Sequence, residues 1–240
     1  SKKLTYMSSY MLGDELKQVG VDVNFAPVCD VNYKNAHSII GDRAFSSNPE
    51  TVLELIKEFC KGLRDSGILP VLKHFPGHGR SKKDTHTHCS RINVDFNSLL
   101  KSDLIPFNFL KKESLLMLAH IIFPRIDKSV VTYSKLFNSI IREKFKFKGL
   151  IITDDISMKA LSDEIEDVVI KSFDAGCDVI LYCRGEISEM KKIYPCVKTI
   201  EQKYYNFFFN DIKNLIIKTQ PILDYKKLLF SNNLILKRCS

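Results

Sequence analysis

The sequence lacks the features that would place it in a membrane or secreted class. No apolar run approaches the roughly 20 residues needed to cross a bilayer. The first residues, S-K-K-L-T-Y-M, show neither the apolar core nor the cleavage site of a signal peptide. Internal repeats and low-complexity linkers are also absent. With 240 residues, the chain is long enough for one sizeable globular domain, and we expect a cytoplasmic protein with no membrane partner.

Paired cysteine spacings are missing as well. The seven cysteines are an odd number, and no two of them form a C-x-x-C pair. Several, including Cys60, Cys177 and Cys183, lie within apolar runs, which is typical of reduced cysteines in the core of a cytosolic protein. A disulfide framework is therefore not expected.

Tryptophan is absent, and the excess of basic residues is not concentrated in one stretch. The net charge of +8 and the pI of about 9.0 would on their own favour a nucleic-acid partner. However, the lysines are scattered along the chain rather than gathered with aromatic residues, and a drift toward AT-rich codons explains the abundance of Ile, Asn, Phe and Lys. We expect no nucleic-acid partner, and we expect a monomer.

Short apolar segments alternate with amphipathic segments along the chain, and this alternation predicts an α/β fold with a parallel sheet. Strands are predicted near Val21, Ile68, Ser114, Leu150 and Asp178. Helices are predicted over residues 4–19, 47–66, 134–144 and 157–175, and a helix interrupted around Pro106 is predicted over residues 97–112. Glycines at 20, 67 and 176 are the expected helix stops. Beyond residue 184 only helical or loop segments are expected.

The stretch richest in chemical groups, V-L-K-H-F-P-G-H-G-R-S-K-K-D-T-H-T-H, covers residues 71–88. It begins in an apolar strand and becomes polar at Lys73 and His74, and the proline and glycines that follow require a turn. Barrels of the α/β class build active sites at the carboxyl ends of their strands in this way. Because lysine is rarely buried without a partner, Lys73 at this strand end indicates a ligand contact.

Three interpretations of the following loop remain open. It could be a solvated basic loop. It could be a metal site, because imidazoles and a carboxylate are suitable zinc ligands. No H-E-x-x-H motif is present. The candidate ligands are His74, His78, Asp84, His86 and His88. The third interpretation is acid/base catalysis. Asp84 lies two residues before His86, so in an extended loop its carboxylate can orient the imidazole, whose usual pKa suits proton transfer near neutral pH.

A second group of polar residues, K-G-L-I-I-T-D-D-I-S-M, lies at residues 148–158. An apolar strand ends at Asp154 and Asp155. The second aspartate fits the start of a helix, where acids are favoured. The first would face the open end of the strand, where a carboxylate can attack an anomeric carbon or stabilise its positive charge.

Four motifs resemble the bacterial β-N-acetylglucosaminidases of glycoside hydrolase family 3, of the peptidoglycan-recycling type. They are K-H-F-P-G-H-G followed by D-T-H, N-F-A-P-V-C-D-V followed by I-G-D-R-A-F, I-I-R-E-K-F-K-F-K-G-L-I-I-T-D-D-I-S, and D-A-G-C-D-V-I-L-Y-C. The chain departs from the family's usual M-P-A-H with M-L-A-H, ending at His120, for which a structural and a functional role are both open.

For the fold, the resemblance implies a TIM (β/α)8 barrel that is incomplete and lacks roughly its first three strands. Residues 1–195 would form strands four to eight of the catalytic domain, and residues 196–240 a helical tail packed on it. The aromatic residues at 204–209 would pack against the barrel exterior. Because the chain does not begin with Met, we expect a fragment or a processed form. Such a piece is expected to be poorly stable and weakly active, because five strands leave two open edges.

For the function, the resemblance implies a retaining exo-β-N-acetylglucosaminidase acting on GlcNAc-anhydro-muropeptides, with no cofactor. Asp154 would be the nucleophile and His86 the proton donor and acceptor, oriented by Asp84. Arg43, whose planar fork suits several ligand oxygens, would bind the sugar together with Lys73 and His74. Two alternatives stay open. One is a metal-dependent hydrolase using the histidine-rich loop; the other is a non-catalytic remnant that at most binds muropeptides.

Overall fold

The computed structural model of this protein describes residues 1–34, 36, 38–81 and 89–218. The predicted α/β organisation with parallel strands is confirmed. The helices are α1 (Lys2–Gln18), α2 (Pro49–Asp65), α3 (Phe96–Leu100), α4 (Lys135–Ser139), α5 (Ile165–Ala175), α6 (Ile187–Ile193) and α7 (Gln202–Lys218). The strands are β1 (Val23–Asn24), β2 (Leu69–Pro70), β3 (Leu72–Phe75), β4 (Ser90–Arg91), β5 (Leu115–Leu118), β6 (Ile121–Phe123), β7 (Asp127–Val130), β8 (Leu150–Asp155) and β9 (Val179–Leu181).

The strands that matter for the site lie side by side in chain order. Strands β3, β5, β8 and β9 form a parallel four-stranded sheet. Strand β1 extends this array, because it pairs in parallel with β2 and because Val28 forms a parallel bridge with Lys73. A separate small sheet, which the sequence did not indicate, joins β4, β6 and the antiparallel β7. All of the main strands therefore end at the same edge.

The helix boundaries follow local signals in the sequence. Asn48 caps α2 by accepting a hydrogen bond from the Thr51 N–H, and Pro49 occupies the first turn, where a missing N–H has no effect. Gly176 ends α5 with a φ of 103°, a left-handed conformation that favours glycine. The expected glycine stops at Gly20 and Gly67 are also found, immediately beyond α1 and α2.

Three helix predictions were wrong in length. The segment predicted as an interrupted helix over residues 97–112 is α-helical only over Phe96–Leu100 and then forms two 3-10 turns, Ile105–Phe107 and Leu110–Lys112. The helix predicted over residues 157–175 begins only at Ile165, because Asp155 accepts hydrogen bonds from the Ser157 backbone and hydroxyl and forms a turn instead. The helix predicted over 134–144 is α-helical only to Ser139 and continues as a π-helix over Ile140–Lys144. None of these changes affects the order of the strands.

The two faces of the sheet are covered by different helices. On one face, Leu72, Leu116 and Ile151 pack with residues of α2 and α4. The other face is formed by the alternate strand residues, which is the expected period of two. This second face consists of Leu69, Val71, Leu115, Met117, Leu150 and Ile152, and Leu215 of α7 is buried against it.

Helix α7 corrects the expected position of the C-terminal aromatic residues. Tyr204 and Phe208 pack with the second face, opposite the helices that connect successive strands, rather than outside those helices. The physical reason is the spacing of apolar residues at 204, 208, 212 and 215, which forms one stripe along the helix. Packing against an apolar sheet face removes such a stripe from water, which is favourable.

The cysteines in the described part of the chain are all free thiols. Cys60 and Cys177 are buried, as predicted, whereas Cys183 is exposed. None of the helices described here combines the length and the apolarity that crossing a membrane would require.

Candidate active site

Four of the six predicted site residues converge on one cleft at the carboxyl ends of the strands. Arg43, Lys73, His74 and Asp154 line a cavity of about 180 Å³ together with Ile39, Ile40, His78 and Met158. Lys73 and His74 belong to β3, Asp154 belongs to β8, and Arg43 ends a short 3-10 turn. Asp84 and His86 lie outside the described residues.

The alternation of side chains along the strands explains why the charged residues meet. Lys73 follows Leu69 and Val71 at intervals of two, and Asp154 follows Leu150 and Ile152 in the same way. Both side chains therefore continue the second face of the sheet, beyond the part that α7 covers. The apolar strand bodies fill the sheet, and the polar strand ends form the cleft.

The two adjacent aspartates have different environments. The Asp155 carboxylate accepts hydrogen bonds from the Ser157 N–H at 3.0 Å and from the Cys183 N–H at 3.0 Å, which ties the end of β8 to the segment after β9. Asp154 is half-buried in the cleft, and its Oδ1 accepts the Asp155 N–H at 2.8 Å. The geometry thus leaves Asp154 as the carboxylate of the cleft and gives Asp155 a turn-forming role.

The cationic side chains give the cleft a positive rim around this carboxylate. Burial lowers the pKa of Lys73, and the nearby Arg43 charge lowers it further, while Asp154 acts in the opposite direction. Arg43 is exposed, and its guanidinium donates to the Ile39 carbonyl at 3.1 Å. Guanidinium and ammonium groups at the mouth of a cleft suit a ligand with many oxygen acceptors.

Asp30 is a site residue to which sequence reasoning assigned no role. It is fully buried behind the cleft, and its Oδ2 lies 2.7 Å from His74 Nδ1, while its Oδ1 accepts the His78 N–H at 2.7 Å. Burial raises the pKa of Asp30, but the neighbouring His74 and His78 outweigh this effect and hold the pKa below its usual value. The available signal was an acid among apolar residues, V-C-D-V, directly after a strand.

Two further histidines, His78 and His120, are buried next to the cleft. Burial lowers the pKa of His78 to about 4, so its imidazole is uncharged at neutral pH. His120 is 1% exposed, and its ring nitrogens contact Thr132 Oγ1 at 2.7 Å and the Asp155 carbonyl at 3.2 Å. The structure therefore gives His120 a structural role in holding the end of β8.

The residues that flank the segment 82–88 are firmly held. Arg80 donates to Asp103 at 2.8 Å and lies 4.2 Å from the centre of the Tyr33 ring. Ser81 and Ser90, on either side of the segment, share a hydrogen bond of 2.7 Å. The described residues on either side of the segment are thus tied to each other and to Asp103.

Of the five expected metal ligands, the described residues include His74 and His78. Within residues 1–34, 36, 38–81 and 89–218, no group of three His, Cys, Asp or Glu side chains is placed to hold a metal ion. His74 and His78 lie next to each other, with ring centres 5.7 Å apart. The other three expected ligands, Asp84, His86 and His88, lie outside the described residues.

A parallel α/β domain with acidic and basic side chains at the carboxyl ends of its strands has the architecture of an enzyme domain. The sequence profile of the glycosyl hydrolase family 3 N-terminal domain matches residues 2–207, and the chain belongs to that family. The family resemblance expected from the four motifs is therefore confirmed.

Curated relatives and solved structures agree with this assignment. A β-hexosaminidase of Hydrogenovibrio crunogenus is 36% identical over 191 residues, which cover 78% of this chain and 53% of the relative. A β-hexosaminidase of Methylococcus capsulatus is 37% identical over 181 residues, covering 73% and 54%. NagZ from Neisseria gonorrhoeae, solved in complex with N-trifluoroacetyl-D-glucosamine, superposes with a TM-score of 0.80 at 27% identity, covering 92% of this chain and 66% of NagZ. The chain spans about half the length of the curated relatives it matches.

Proposed function

We propose that this chain carries the catalytic site of a retaining exo-β-N-acetylglucosaminidase. The observation that supports this most directly is the convergence of Arg43, Lys73, His74 and Asp154 on one cleft at the strand ends. The names of the relatives, β-hexosaminidases, and the glucosamine derivative bound by one solved relative agree with a site for an N-acetylated amino sugar.

The sheet is proposed to be the part of a TIM barrel that runs from its fourth to its eighth strand. Parallel strands that neighbour each other in chain order, with connecting helices on one face, are what a barrel segment requires. Under this hypothesis of a partial barrel, residues 1–195 form the incomplete catalytic domain, and residues 196–240 contain a helical tail. The position of α7 on the other face accounts for part of that tail.

In the first chemical step, the Asp154 carboxylate attacks the anomeric carbon of the sugar, and the bond from that carbon to the leaving oxygen breaks. His86, oriented by Asp84, gives its proton to the leaving oxygen. In the second step His86 removes a proton from water, the water oxygen bonds to the anomeric carbon, and the Asp154 carboxylate is released. A second carboxylic acid is usual at this point, but an imidazole has a suitable pKa without strong burial.

Arg43, Lys73 and His74 are proposed to hold the sugar while this occurs. The guanidinium offers a planar set of donors, and the ammonium offers a compact charge whose hydrogen bonds are strengthened by partial burial. The developing positive charge at the anomeric carbon then lies near Asp154, and the sugar hydroxyls lie near the cations.

The natural substrate is proposed to be a GlcNAc-anhydro-muropeptide from cell-wall turnover in the cytoplasm, as expected for the peptidoglycan-recycling type. A basic protein suits an acidic cell-wall fragment. We propose that the protein acts as a monomer, without a cofactor and without a nucleic-acid partner.

The direct test replaces the proposed nucleophile and leaves its shape unchanged. Asp154→Asn should lower the hydrolysis of an aryl N-acetyl-β-glucosaminide by roughly 10⁴-fold or more, as loss of a catalytic group does in other enzymes. Asp174→Asn is the matched control, because Asp174 is an exposed carboxylate that pairs with Lys198 at the surface. Unchanged hydrolysis by Asp154→Asn would refute the nucleophile.

The other two functions are distinguished by separate results. Stoichiometric zinc in the purified protein, together with loss of hydrolysis on chelation, would favour the metal-dependent hydrolase. A remnant without catalysis would bind N-acetylglucosamine but release no aryl alcohol, with or without Asp154→Asn.

A further inference from the structure

We propose that Asp30 is a positioning residue of the sugar site, because it fixes which nitrogen of His74 faces the cleft. This inference rests on the proposed function for its catalytic consequences. Its structural core is the contact of 2.7 Å between Asp30 Oδ2 and His74 Nδ1. A carboxylate accepts hydrogen bonds and does not donate them, so Nδ1 of His74 carries the proton.

The consequence for ligand recognition follows from the shape of the ring. With Nδ1 turned toward Asp30, Nε2 is the ring nitrogen that remains for the cleft, which His74 lines. In the neutral ring this Nε2 is an acceptor. The group of the sugar that meets His74 is therefore a hydroxyl that donates its hydrogen bond, while Lys73 and Arg43 donate to sugar oxygens that accept.

Asp30 also sets the position of the backbone on which the site residues lie. Its Oδ1 accepts the His78 N–H at 2.7 Å and lies 3.4 Å from the His74 N. The preceding residue, Cys29, donates its N–H to the Lys73 carbonyl at 2.5 Å. One short segment after β1 thus holds the end of β3 and the turn that follows it.

The electrostatics agree with an ionised carboxylate at this position. Asp30 has no exposed surface, yet its interactions with His74 and His78, including the hydrogen bonds that it accepts from them, keep its pKa below the usual value despite burial. A buried charge of this kind is tolerated because its oxygens are hydrogen-bonded. Its field acts on His74 directly, across a single hydrogen bond.

Asp30→Asn tests this proposal because it preserves the shape and reverses one hydrogen bond. The amide oxygen can keep the backbone contacts of Oδ1, but the amide nitrogen then faces His74 Nδ1 and donates to it. The proton of His74 should move to Nε2, so that a donor replaces the acceptor in the cleft. Imidazole ¹⁵N NMR of the full chain should show Nδ1–H in the wild type and Nε2–H in the variant.

The kinetic expectation is a loss of roughly 10- to 100-fold in kcat/KM for an aryl N-acetyl-β-glucosaminide, the range seen when an orienting partner is removed. In a His74→Gln background the same Asp30→Asn change should have little further effect, because both act through one contact. Asp178→Asn is the matched control: Asp178 is also a largely buried, paired acid, but it lies before β9, away from the cleft, and should not alter kcat/KM of the folded protein.

Two results would overturn the proposal. One is an unchanged His74 tautomer in Asp30→Asn. The other is a loss in kcat/KM that is equally large with and without His74, which would make Asp30 a general structural residue. The NMR result does not depend on turnover, so it remains informative even if Asp154→Asn contradicts the glycosidase mechanism.

Discussion

Removing the Arg64 side chain should destabilise the protein strongly, because this one group joins α2, the segment just before β5, and α7. Its guanidinium donates to both oxygens of Asp211 at 2.9 Å and to Glu113 at 2.8 Å. The exposed fractions of the three side chains are 20% for Arg64, 23% for Asp211 and 6% for Glu113. The Ser114 hydroxyl also donates to Asp211. The network is therefore largely withdrawn from solvent.

The magnitude follows from what Arg64→Ala leaves behind. Two carboxylates would remain close together and mostly buried, without their cation. Breaking a buried pair in this way costs about 3–5 kcal/mol. For a chain of this size, each kcal/mol lowers Tm by about 2–4 °C, so the expected fall in Tm is roughly 6–20 °C. Asp211→Asn should be milder, at about 1–2 kcal/mol, because the Arg64–Glu113 pair remains.

The loss should also depend on pH in a definite direction. Burial raises the pKa of Glu113, and Arg64 acts against this effect. Without Arg64, the pKa of Glu113 in the folded protein should rise further above its value in the unfolded chain. The folded state then binds more protons than the unfolded state, so stability falls as the pH increases. The deficit of Arg64→Ala should therefore be largest at neutral pH and smaller as the pH is lowered toward the unfolded-state pKa of the glutamate.

Urea unfolding followed by circular dichroism measures these differences. Lys61→Ala is the matched control, because Lys61 lies one turn earlier on α2 and pairs with Asp65 in an exposed position. Exposed pairs contribute about 0–1 kcal/mol, so this variant should unfold close to the wild type. If Arg64→Ala unfolds at the same urea concentration as Lys61→Ala, the network does not stabilise the packing of α7.

Two further predictions concern residues around the cleft. The pKa of His78 is about 4 in the folded protein and near 6.5 in the unfolded chain, so the free energy of unfolding should fall by roughly 3 kcal/mol as the pH decreases from about 6.5 to 4. Calorimetry of His78→Gln should show a weaker dependence of stability on pH over this range. An unchanged dependence would contradict the assignment. A Cβ at Gly79 would lie 1.8 Å from the Val31 carbonyl oxygen, so Gly79→Ala should lower stability by about 1–3 kcal/mol in urea unfolding, and a neutral result would place these backbones further apart.

The sequence predicted the parts of this protein that depend on local pattern. Strand bodies such as Leu150–Ile152 are short apolar runs bounded by polar residues or glycine, and they were identified correctly. The carboxylate after that run, Asp154, and the basic pair Lys73 and His74 could be assigned to one edge because parallel strands end together. The meeting of Lys73 and Asp154 in one cleft follows from the fold class and from the period of two along each strand. That period predicts the opposite face for His74, the neighbour of Lys73, which nevertheless lines the same cleft.

Other features depend on contacts between distant parts of the chain and could not be predicted locally. Asp30 and His74 are 44 residues apart, and only the pairing of β1 with the following strands brings them together. The shortened start of α5 results from Asp155, whose carboxylate satisfies backbone groups of Ser157 and Cys183 at once. Helical periodicity in the sequence does not show where a side chain competes with the helix for backbone N–H groups.

The cleft and the surface on which α7 packs are two parts of one sheet face. The stability of the strand pairing is therefore linked to the geometry of the site. The strand residues that pack against Leu215 alternate in register with Lys73 and Asp154, so a shift of one residue in any strand pairing would turn both sets to the opposite face. The apolar contacts of α7 thus favour the same register that the cleft requires. Helix α7 therefore does more than cover apolar surface, because by stabilising one pairing of the strands it keeps the carboxylate and the lysine on the same side of the sheet.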